Sequence, residues 1–467
     1  MKEGLFMEKT DRFTSEPIWK LIAKMCIPAI VTTLVVVLYN MADIFFISKT
    51  GDTAQVAAIS LISPIFAILS GLGALIGSGG CAALSIVLGR RDEEQARKIS
   101  SFCCYFSLGA SLLFSIVVLC AMTPVMSFIQ ASPETEGYAR TYLTWICVGA
   151  PFIVFSSAFA NIVRAEGAVK ESMIGNGIGS ILNIILDPIL ILGFNMGVAG
   201  AAIATVVGNM ASVVYIVLYI RSKKSRLSIH PRQFTFSRNI SLKVISLGMP
   251  TAIGILLMSI SNLITNTFVS GYGDSALAAR GVAGTIGMII SMVQMGICMG
   301  IQPAIAYNFG AENLKRVIAI VKRTALLTVT VGSALSVICW FARTGFMASF
   351  INDAEVIGFG QQMVMGSIVS GPVFGLFYLA TGILQSIDKA SYATLTSLLR
   401  QGIVLIPILL LLNAIAGLSG VIFAQAVADV VATVIGVGLC FTQYTRITRV
   451  NEIEKHLQPA TVVNTTA

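Results

Sequence analysis

Two polar side chains interrupt an otherwise apolar stretch, where they could bind a proton or a cation. Asn183 and Asp187 belong to the segment Asn-Ile-Ile-Leu-Asp-Pro-Ile-Leu-Ile-Leu, and a spacing of four places them on one face of a helix. Pro188 follows directly and removes a backbone hydrogen-bond donor. An ionisable side chain in such a stretch is costly in lipid and indicates a functional site; a polar contact between helices is the alternative.

The composition indicates a polytopic membrane protein. Of the 467 residues, 56% are hydrophobic and only 11% are charged, whereas soluble proteins have about 25% charged residues. Apolar stretches of about 20 residues or more recur along the chain, which is typical of membrane-spanning helices and not of the alternating strands of a barrel. We therefore expect an all-α integral membrane protein. Residues 1–18 are polar and mixed in charge, so that no cleavable signal peptide is predicted.

The apolar stretches predict twelve membrane spans in two lobes of six. An N-terminal lobe (1–222) and a C-terminal lobe (242–445) are separated by a basic cytoplasmic linker (223–241), and a tail (446–467) follows. The predicted spans are 18–48, 54–86, 95–123, 135–161, 170–194, 198–221, 242–270, 275–308, 318–345, 356–385, 390–413 and 418–442.

The distribution of basic residues predicts the orientation of the chain. With the connections on alternate sides of the membrane, 26 of the 31 lysines and arginines fall on the side of the N-terminus and the tail. By the positive-inside rule, both termini are cytoplasmic. The net charge of +9 is then a topological bias toward the side with anionic lipid. We expect a multi-pass protein of the cytoplasmic (inner) cell membrane that contacts the lipid bilayer and binds no nucleic acid.

The two lobes repeat each other in sequence. Ile27-Pro28 recurs as Met249-Pro250. The motif Gly197-Val-Ala-Gly200 recurs as Gly417-Leu-Ser-Gly420. Because each lobe has six spans, the repeats are parallel and are related by a pseudo-two-fold axis along the membrane normal. Transporters built in this way bind substrate between the lobes near the membrane midplane and move it by rocking one lobe against the other.

Comparing the repeats singles out two carboxylates of the N-terminal lobe. Asp43 of the first span corresponds to Thr265, and Asp187 of the fifth span corresponds to Ile406. Both acids lie one and a half to two turns from the outer ends of their spans, and thus at similar depth. Two carboxylates at one depth in one lobe predict a protonation or cation site. Two further polar residues share the face of Asp43 by spacing: Tyr39 and Asn40.

The C-terminal lobe carries a second set of candidate residues. Arg400 and Asp429 lie near the middles of adjacent antiparallel spans and are predicted to form a structural ion pair, since opposite charges neutralise each other in a membrane. Span eight has one helical stripe of methionines, Met288, Met292, Met295 and Met299. Thioethers adapt their shape to varied ligands, whereas ordinary helix packing is the alternative. We expect a substrate contact at Met288, Met292, Met295 and Gln294.

The sequence contains no motif for catalysis or for a bound cofactor. It has neither a phosphate-binding G-x-x-x-x-G-K-[ST] loop nor a nucleophile–base arrangement. Its nine cysteines are scattered through apolar segments without a Cys-x-x-Cys pair, as expected of small buried hydrophobes. These features favour an ion-driven transporter over an enzyme or an ATP-driven pump. The coupling ion would be H⁺ or Na⁺, and no cofactor is expected.

The motifs together resemble the multidrug and toxic compound extrusion (MATE) family, closest to its MepA-type branch. The segments that carry the resemblance extend in order from span one to span eleven: Leu38–Ile47, Ile59–Ile68, Ile162–Gly167, Asn183–Pro188, Gly200–Thr205 and Leu399–Gly402. The resemblance implies a secondary antiporter that exchanges H⁺ or Na⁺ for organic, often cationic, drugs. Such xenobiotic efflux would contribute to antibiotic resistance.

The resemblance also implies roles for particular residues. A cation-coupling cluster in the N-terminal lobe falls by matched spacing on Tyr39, Asp43, Asn183, Asp187 and Thr205, with Asn40 beside it. A Na⁺ ion would be held by Asp43, Asn183 and Asp187. Span seven lacks the acidic residue of one branch, and span four has Asn161 where some relatives have a glutamate. We include Asn161 among the expected substrate-binding residues.

Two other functions fit parts of the pattern. A flippase for lipid-linked intermediates of the same wider superfamily would need several basic residues at membrane depth, where the sequence places only Arg400. A passive channel would not need an acidic site confined to one of two repeats. The sequence demands no assembly larger than a monomer.

Overall fold

The computed structural model describes residues 12–350 and 353–457, which are mostly helical and contain no strand. Residues 458–467 of the predicted tail lie outside this part. Within the described residues, eleven helices are long and apolar enough to cross a membrane, and the predicted all-α membrane fold is confirmed. The spans of the first half are Ile18–Ser48 (span 1), Thr53–Gly89 (span 2), Glu93–Cys120 (span 3), Pro133–Ala165 (span 4), Val169–Asp187 (span 5) and Val198–Arg221 (span 6). A short helix, Met122–Phe128, precedes span 4.

The second half contains six further crossings. Its last apolar stretch, Ala390–Ile447, has 58 residues and is broken at Gly417 by a non-helical φ of 57° and ψ of −136°. This stretch therefore crosses twice, and the twelve predicted spans are accounted for. The other spans are Arg238–Ser270 (span 7), Asp274–Gly310 (span 8), Leu314–Phe350 (span 9) and Ala354–Ser386 (span 10). Span 11 consists of Ala390–Leu398, the π-helical turn Leu399–Ile403 and the start of Leu405–Leu457, of which span 12 is the part after Gly417.

The breaks in the backbone repeat between the two halves. Gly197, which precedes span 6, has φ 53° and ψ −129°, close to the angles of Gly417 before span 12. Gly51 and Gly273, which precede spans 2 and 8, also have positive φ, at 75° and 104°. Glycine adopts this conformation at little cost because it lacks a Cβ. The glycine motifs repeated in the sequence thus coincide with turns repeated in the structure.

Glycines bring the two halves together along four crossing helices. A Cβ on Gly79 of span 2 would overlap the carbonyl oxygen of Val244 in span 7, and a Cβ on Gly300 of span 8 would overlap that of Met25 in span 1. Spans 2 and 8 approach each other in the same way at Gly89 and Gly310. Small residues allow such close backbone packing in membranes. All of these crossings lie in the half of each helix on the side of the N-terminus, where the lobes are closed against each other.

The start of the chain reinforces this closure. Phe13 is buried, and its ring lies 5.2 Å from that of Tyr307 at the end of span 8. Its carbonyl oxygen accepts hydrogen bonds from Asn308 Nδ2, at 3.0 Å, and from Arg316 Nε, at 2.6 Å. The segment before span 1 is thereby tied to the opposite half of the molecule.

The linker between the halves is held on the N-terminal half. Buried Glu166 accepts hydrogen bonds from the Tyr219 hydroxyl, at 2.7 Å, and from the backbone N–H of Arg226, at 2.8 Å. Ser101 Oγ of span 3 donates to the His230 carbonyl at 3.0 Å. Span 7 begins at Arg238, four residues before its predicted start.

Candidate functional site

Spans 1 and 5 bring Asp43 and Asp187 together inside the N-terminal half. Their carboxyl groups lie close enough to share a hydrogen bond. Asp187 is fully buried and Asp43 is half-buried. Two carboxylates that are removed from water beside each other repel, so the pair requires a proton or a cation to compensate its charge.

The backbone widens directly after Asp187. Pro188–Gly193 forms a π-helical turn, and Pro188 has no N–H to donate. Widened turns of this kind occur frequently at functional sites because they re-aim side chains and free backbone groups. The proline predicted to disturb this helix thus ends the regular α-helix at the acid.

Buried acceptor atoms around the pair have no hydrogen-bond partner in the described part of the chain. They are Asp43 Oδ1, Asp187 Oδ1, Asp187 Oδ2 and Asn183 Oδ1. A buried polar atom left unpaired costs about 1–3 kcal/mol. Four such oxygens in one cluster indicate a place for a donor or a cation that is not part of the polypeptide.

Thr205 lies beside this cluster because spans 5 and 6 pack closely. A Cβ on Gly179 would overlap the carbonyl oxygen of Gly208, so both positions need glycine. This approach allows Asn183 Nδ2 to donate to Thr205 Oγ1 at 3.4 Å. The predicted residues Asn183, Asp187 and Thr205 are therefore neighbours in the fold.

Tyr39 and Asn40 precede Asp43 by one turn of span 1. Tyr39 lies near both the Asp43 carboxyl group and the Asn40 side chain. It also lines a cavity of about 210 Å³ in the N-terminal half. The polar lining of this cavity includes Tyr39, Ser70, Ser156, Ser157, Asn176, Ser180, Asn183, Thr205, Asn209 and Ser212. The cavity thus extends from the cluster toward the side of the N-terminus, where the two lobes pack against each other.

Side chains at the start of span 2 hold together the ends of spans 2, 4 and 6. Asp52 caps span 2 by accepting a hydrogen bond from the backbone N–H of Ala54 at 2.9 Å. Gln55 Oε1 accepts from the Val198 N–H at 3.1 Å and so joins spans 2 and 6. A hydrogen bond with Tyr138 of span 4 holds the pKa of Asp52 below its ordinary value.

Part of the methionine stripe of span 8 lines a cavity. Met288 and Met292 line a second cavity, of about 590 Å³, inside the C-terminal half. Met295 is not among its described lining residues. Gln294 is fully buried, and its Nε2 donates to the Thr328 carbonyl at 2.9 Å. Substrate contacts of Met295 and Gln294 stay predictions, since neither residue is among the described lining of this cavity.

Asn161 also lies outside the described lining of both cavities. Its Nδ2 donates to the Ser157 carbonyl at 2.9 Å, and its Oδ1 accepts from Arg164 Nη2 at 2.5 Å. Both polar atoms are engaged within span 4, and the side chain packs against Gly77. A substrate contact of Asn161 is not supported by this position.

Arg400 and Asp429 form an ion pair. The distance from Arg400 Nε to Asp429 Oδ1 is 2.7 Å, and both side chains are buried. Gln425 Nε2 donates to the same carboxylate oxygen at 2.9 Å. The guanidinium also lies 4.6 Å from the ring centre of Phe374 and 4.7 Å from that of Phe377, a favourable cation–π arrangement.

Several polar residues of the second cavity were not among the predicted site residues. Arg280, near the start of span 8, lines this cavity together with Arg400. Asn262 and Asn266 line the same cavity. Their spacing of four in an apolar span was the signal that identified Asn183 and Asp187.

A family model described as MatE matches two segments of the chain, residues 28–189 and 250–411. The segments are equally long, lie one in each half, and together make up more than half of the sequence. The chain belongs to the MatE family. The resemblance inferred from the sequence motifs is thereby confirmed.

Similar proteins extend over nearly the whole chain. The protein named multidrug export protein MepA from Staphylococcus saprophyticus subsp. saprophyticus is 30% identical over 441 residues, which are 94% of this chain and 97% of the relative. The protein of the same name from Staphylococcus aureus (strain MRSA252) is 31% identical over 90% of this chain and 93% of its own length. A crystal structure of MATE in complex with MaL6 has a TM-score of 0.89 at 22% identity and covers 94% of this chain and 99% of that chain. The MatE family fold therefore applies to both halves.

Proposed function

We propose that this chain is a secondary active multidrug exporter of the cytoplasmic membrane, which expels organic, often cationic, compounds in exchange for H⁺ or Na⁺. The names of the MepA relatives support export of drugs. The observation that carries the coupling is the cluster of unpartnered buried oxygens at Asp43, Asn183 and Asp187. A purely structural contact would be satisfied by donors of the protein. A site that binds and releases an ion needs oxygen acceptors that are not occupied by hydrogen-bond donors of the protein.

The acid pair couples the ion to the drug through charge. An ion bound at Asp43 and Asp187 removes negative charge from the N-terminal half and so weakens its attraction for a drug cation. By linkage, a bound drug cation weakens the affinity for the ion by the same factor. Ion loading from outside therefore favours outward release of the drug. A membrane potential of about 100 mV provides about 2.3 kcal/mol per charge, which corresponds to about 50-fold accumulation for each ion moved.

The two candidate ions use different parts of the cluster. A proton needs only the two carboxyl groups, which can share it in a hydrogen bond. A Na⁺ ion needs several oxygen ligands, and the buried Asn183 Oδ1 has no hydrogen-bond partner in the described part of the chain. The Thr205 hydroxyl oxygen lies 3.4 Å from Asn183 Nδ2 and offers a second neutral ligand.

The cavities favour a drug exporter over a flippase for lipid-linked intermediates. The volume of about 590 Å³ falls within the range of sites for drug-sized ligands, about 300–1,000 Å³, and that of about 210 Å³ falls below it. The larger cavity is lined by adaptable apolar side chains, including Met258, Met288 and Met292. This lining suits aromatic compounds of varied shape.

Purified protein in proteoliposomes tests the proposal with ethidium as substrate. We expect ethidium transport under a pH gradient without Na⁺ or under a Na⁺ gradient without a pH difference, and accelerated exchange when unlabelled substrate is present on the opposite side. A transport rate that depends on neither gradient, without accelerated exchange, would establish a passive pore and overturn the proposal.

A further inference from the structure

The two halves of the molecule differ in the charged side chains that they carry inside. The N-terminal half has the carboxyl groups of Asp43 and Asp187, beside a cavity whose described lining residues are uncharged. The cavity of about 590 Å³ in the C-terminal half has two guanidinium groups, Arg280 and Arg400, and no Asp or Glu among its described lining residues. A drug that carries only positive charge is repelled by this lining. The C-terminal cavity therefore suits a different chemical group.

Arg280 provides the uncompensated charge of this cavity. Arg400 is neutralised by Asp429 through the 2.7 Å ion pair. Arg280, in contrast, forms no ion pair within the described residues, and its Nε donates to the neutral Asn266 Oδ1 at 2.7 Å. This bond orients the guanidinium and leaves the edge formed by its two terminal amino groups for another acceptor. Such an edge matches the two oxygens of a carboxylate.

The surroundings of Arg280 fit the remainder of a drug-sized molecule. Met258, Met288 and Met292 supply an adaptable apolar surface. Phe374 lies at the same cavity and offers a ring for stacking. Uncharged polar residues in the lining provide hydrogen bonds for substituents, among them Asn262, Thr265, Ser291, Ser367 and Gln425.

We propose that the C-terminal cavity binds aromatic compounds that bear a carboxylate, with the carboxylate paired to Arg280. Such compounds include zwitterions, whose cationic group is attracted to the acidic half while the carboxylate is held in the basic half. Arg280 is then a specificity-determining residue, distinct from the acid pair that couples the ion. This inference rests on the proposed export function, because the compound is a cargo of the same cleft.

Rhodamine 110 and rhodamine 123 provide a matched pair of probes. Rhodamine 110 carries a free carboxylate and is zwitterionic, whereas rhodamine 123 is its methyl ester and is a cation. Binding and export of both dyes are compared for the native chain, Arg280→Gln, Arg280→Lys and Arg343→Gln. Arg343 is the matched control, since it is a basic residue in span 9 and does not belong to the described lining of the cavity.

We expect Arg280→Gln to weaken rhodamine 110 binding about tenfold, the scale of one lost charge-assisted contact, and to leave rhodamine 123 binding unchanged or tighter. Arg280→Lys should retain part of the rhodamine 110 binding, and Arg343→Gln should change neither dye. Equal rhodamine 110 binding by the native chain and Arg280→Gln, or an equal loss of both dyes, would overturn the inference. Failure of the native chain to export rhodamine 123 would instead contradict the proposed function.

Discussion

Asn183 Nδ2 donates a 3.4 Å hydrogen bond to Thr205 Oγ1, which joins spans 5 and 6 beside the acid pair. Asn183 Oδ1 remains a buried acceptor without a partner in the described part of the chain, as do oxygens of Asp43 and Asp187. The arrangement gathers neutral and charged oxygens at one point of the N-terminal half. It offers ligands for a Na⁺ ion and, through the carboxyl groups alone, a site for a proton.

Replacing Thr205 with Val tests whether the cluster binds a Na⁺ ion or a proton. Valine keeps the shape of threonine but removes an oxygen, so we expect the apparent affinity for Na⁺ in driven efflux to fall about tenfold, the scale of one lost charge-assisted contact. Efflux driven by a proton gradient should remain within about twofold of the native rate, since the carboxyl pair is unchanged. Thr205→Ser, which retains the hydroxyl, is the control. An equal loss of proton-driven and Na⁺-driven efflux in Thr205→Val would contradict this role.

The ion pair of Arg400 and Asp429 is expected to matter for stability. Asp429→Leu leaves the buried Arg400 guanidinium without its partner, which should lower the free energy of unfolding by about 3–5 kcal/mol. Replacing both residues, with Arg400→Met and Asp429→Leu, should restore most of this loss because no unpaired charge remains. Thermal unfolding of the purified variants in detergent measures both effects. A single Asp429→Leu variant as stable as the native protein would contradict the account.

Gly79 tests the closure between the two halves. A Cβ at Gly79 overlaps the Val244 carbonyl oxygen, so Gly79→Ala should push spans 2 and 7 apart and reduce ethidium efflux. Hydrogen–deuterium exchange should increase at residues 71–80 and 244–256. Gly109→Ala is the control, since a Cβ at Gly109 meets no atom within 4 Å. Unchanged exchange and efflux in Gly79→Ala would contradict the closure.

Replacing Arg316 tests the contact between the segment before span 1 and the second half of the molecule. Its guanidinium donates hydrogen bonds to the Phe13 and Glu16 carbonyl oxygens, and glutamine is too short to make both. We expect Arg316→Gln to raise hydrogen–deuterium exchange of residues 12–20 about tenfold, the scale of a loss of about 1.4 kcal/mol. The neighbouring exposed Lys315, replaced by Gln, is the control. Exchange of this segment that is equal in both variants would argue against the tie.

The spans and the acid pair were predictable from the sequence for physical reasons. In lipid, the backbone polar groups must form hydrogen bonds with each other, so a long apolar stretch adopts a helix. A carboxylate is rare enough in such a stretch to stand out. The depth of Asp43 and Asp187 followed from counting residues, and the structure places the two carboxyl groups side by side.

The C-terminal cavity was less predictable, because helical spacing defines a face but not its neighbour. Of the stripe from Met288 to Met295, the described cavity lining includes Met288 and Met292, and the packing of the spans decides which residues of a face reach the cavity. Arg280 was missed because the predicted start of span 8 placed it near the membrane surface. Hydrophobicity alone could not reveal that the cavity extends to that depth.

Asp187→Asn tests the central claim most directly. Ethidium efflux is measured in everted membrane vesicles under an imposed ion gradient, with the amount of protein in the membrane determined for each variant. Asp52, an acid before span 2 that lies outside the cluster and is replaced by Asn, is the control. The account predicts that Asp187→Asn lowers gradient-driven efflux at least about tenfold, as expected when a group that carries the coupling ion is lost, while Asp52→Asn transports at the native rate. Undiminished gradient-driven efflux by a normally inserted Asp187→Asn variant would contradict the account.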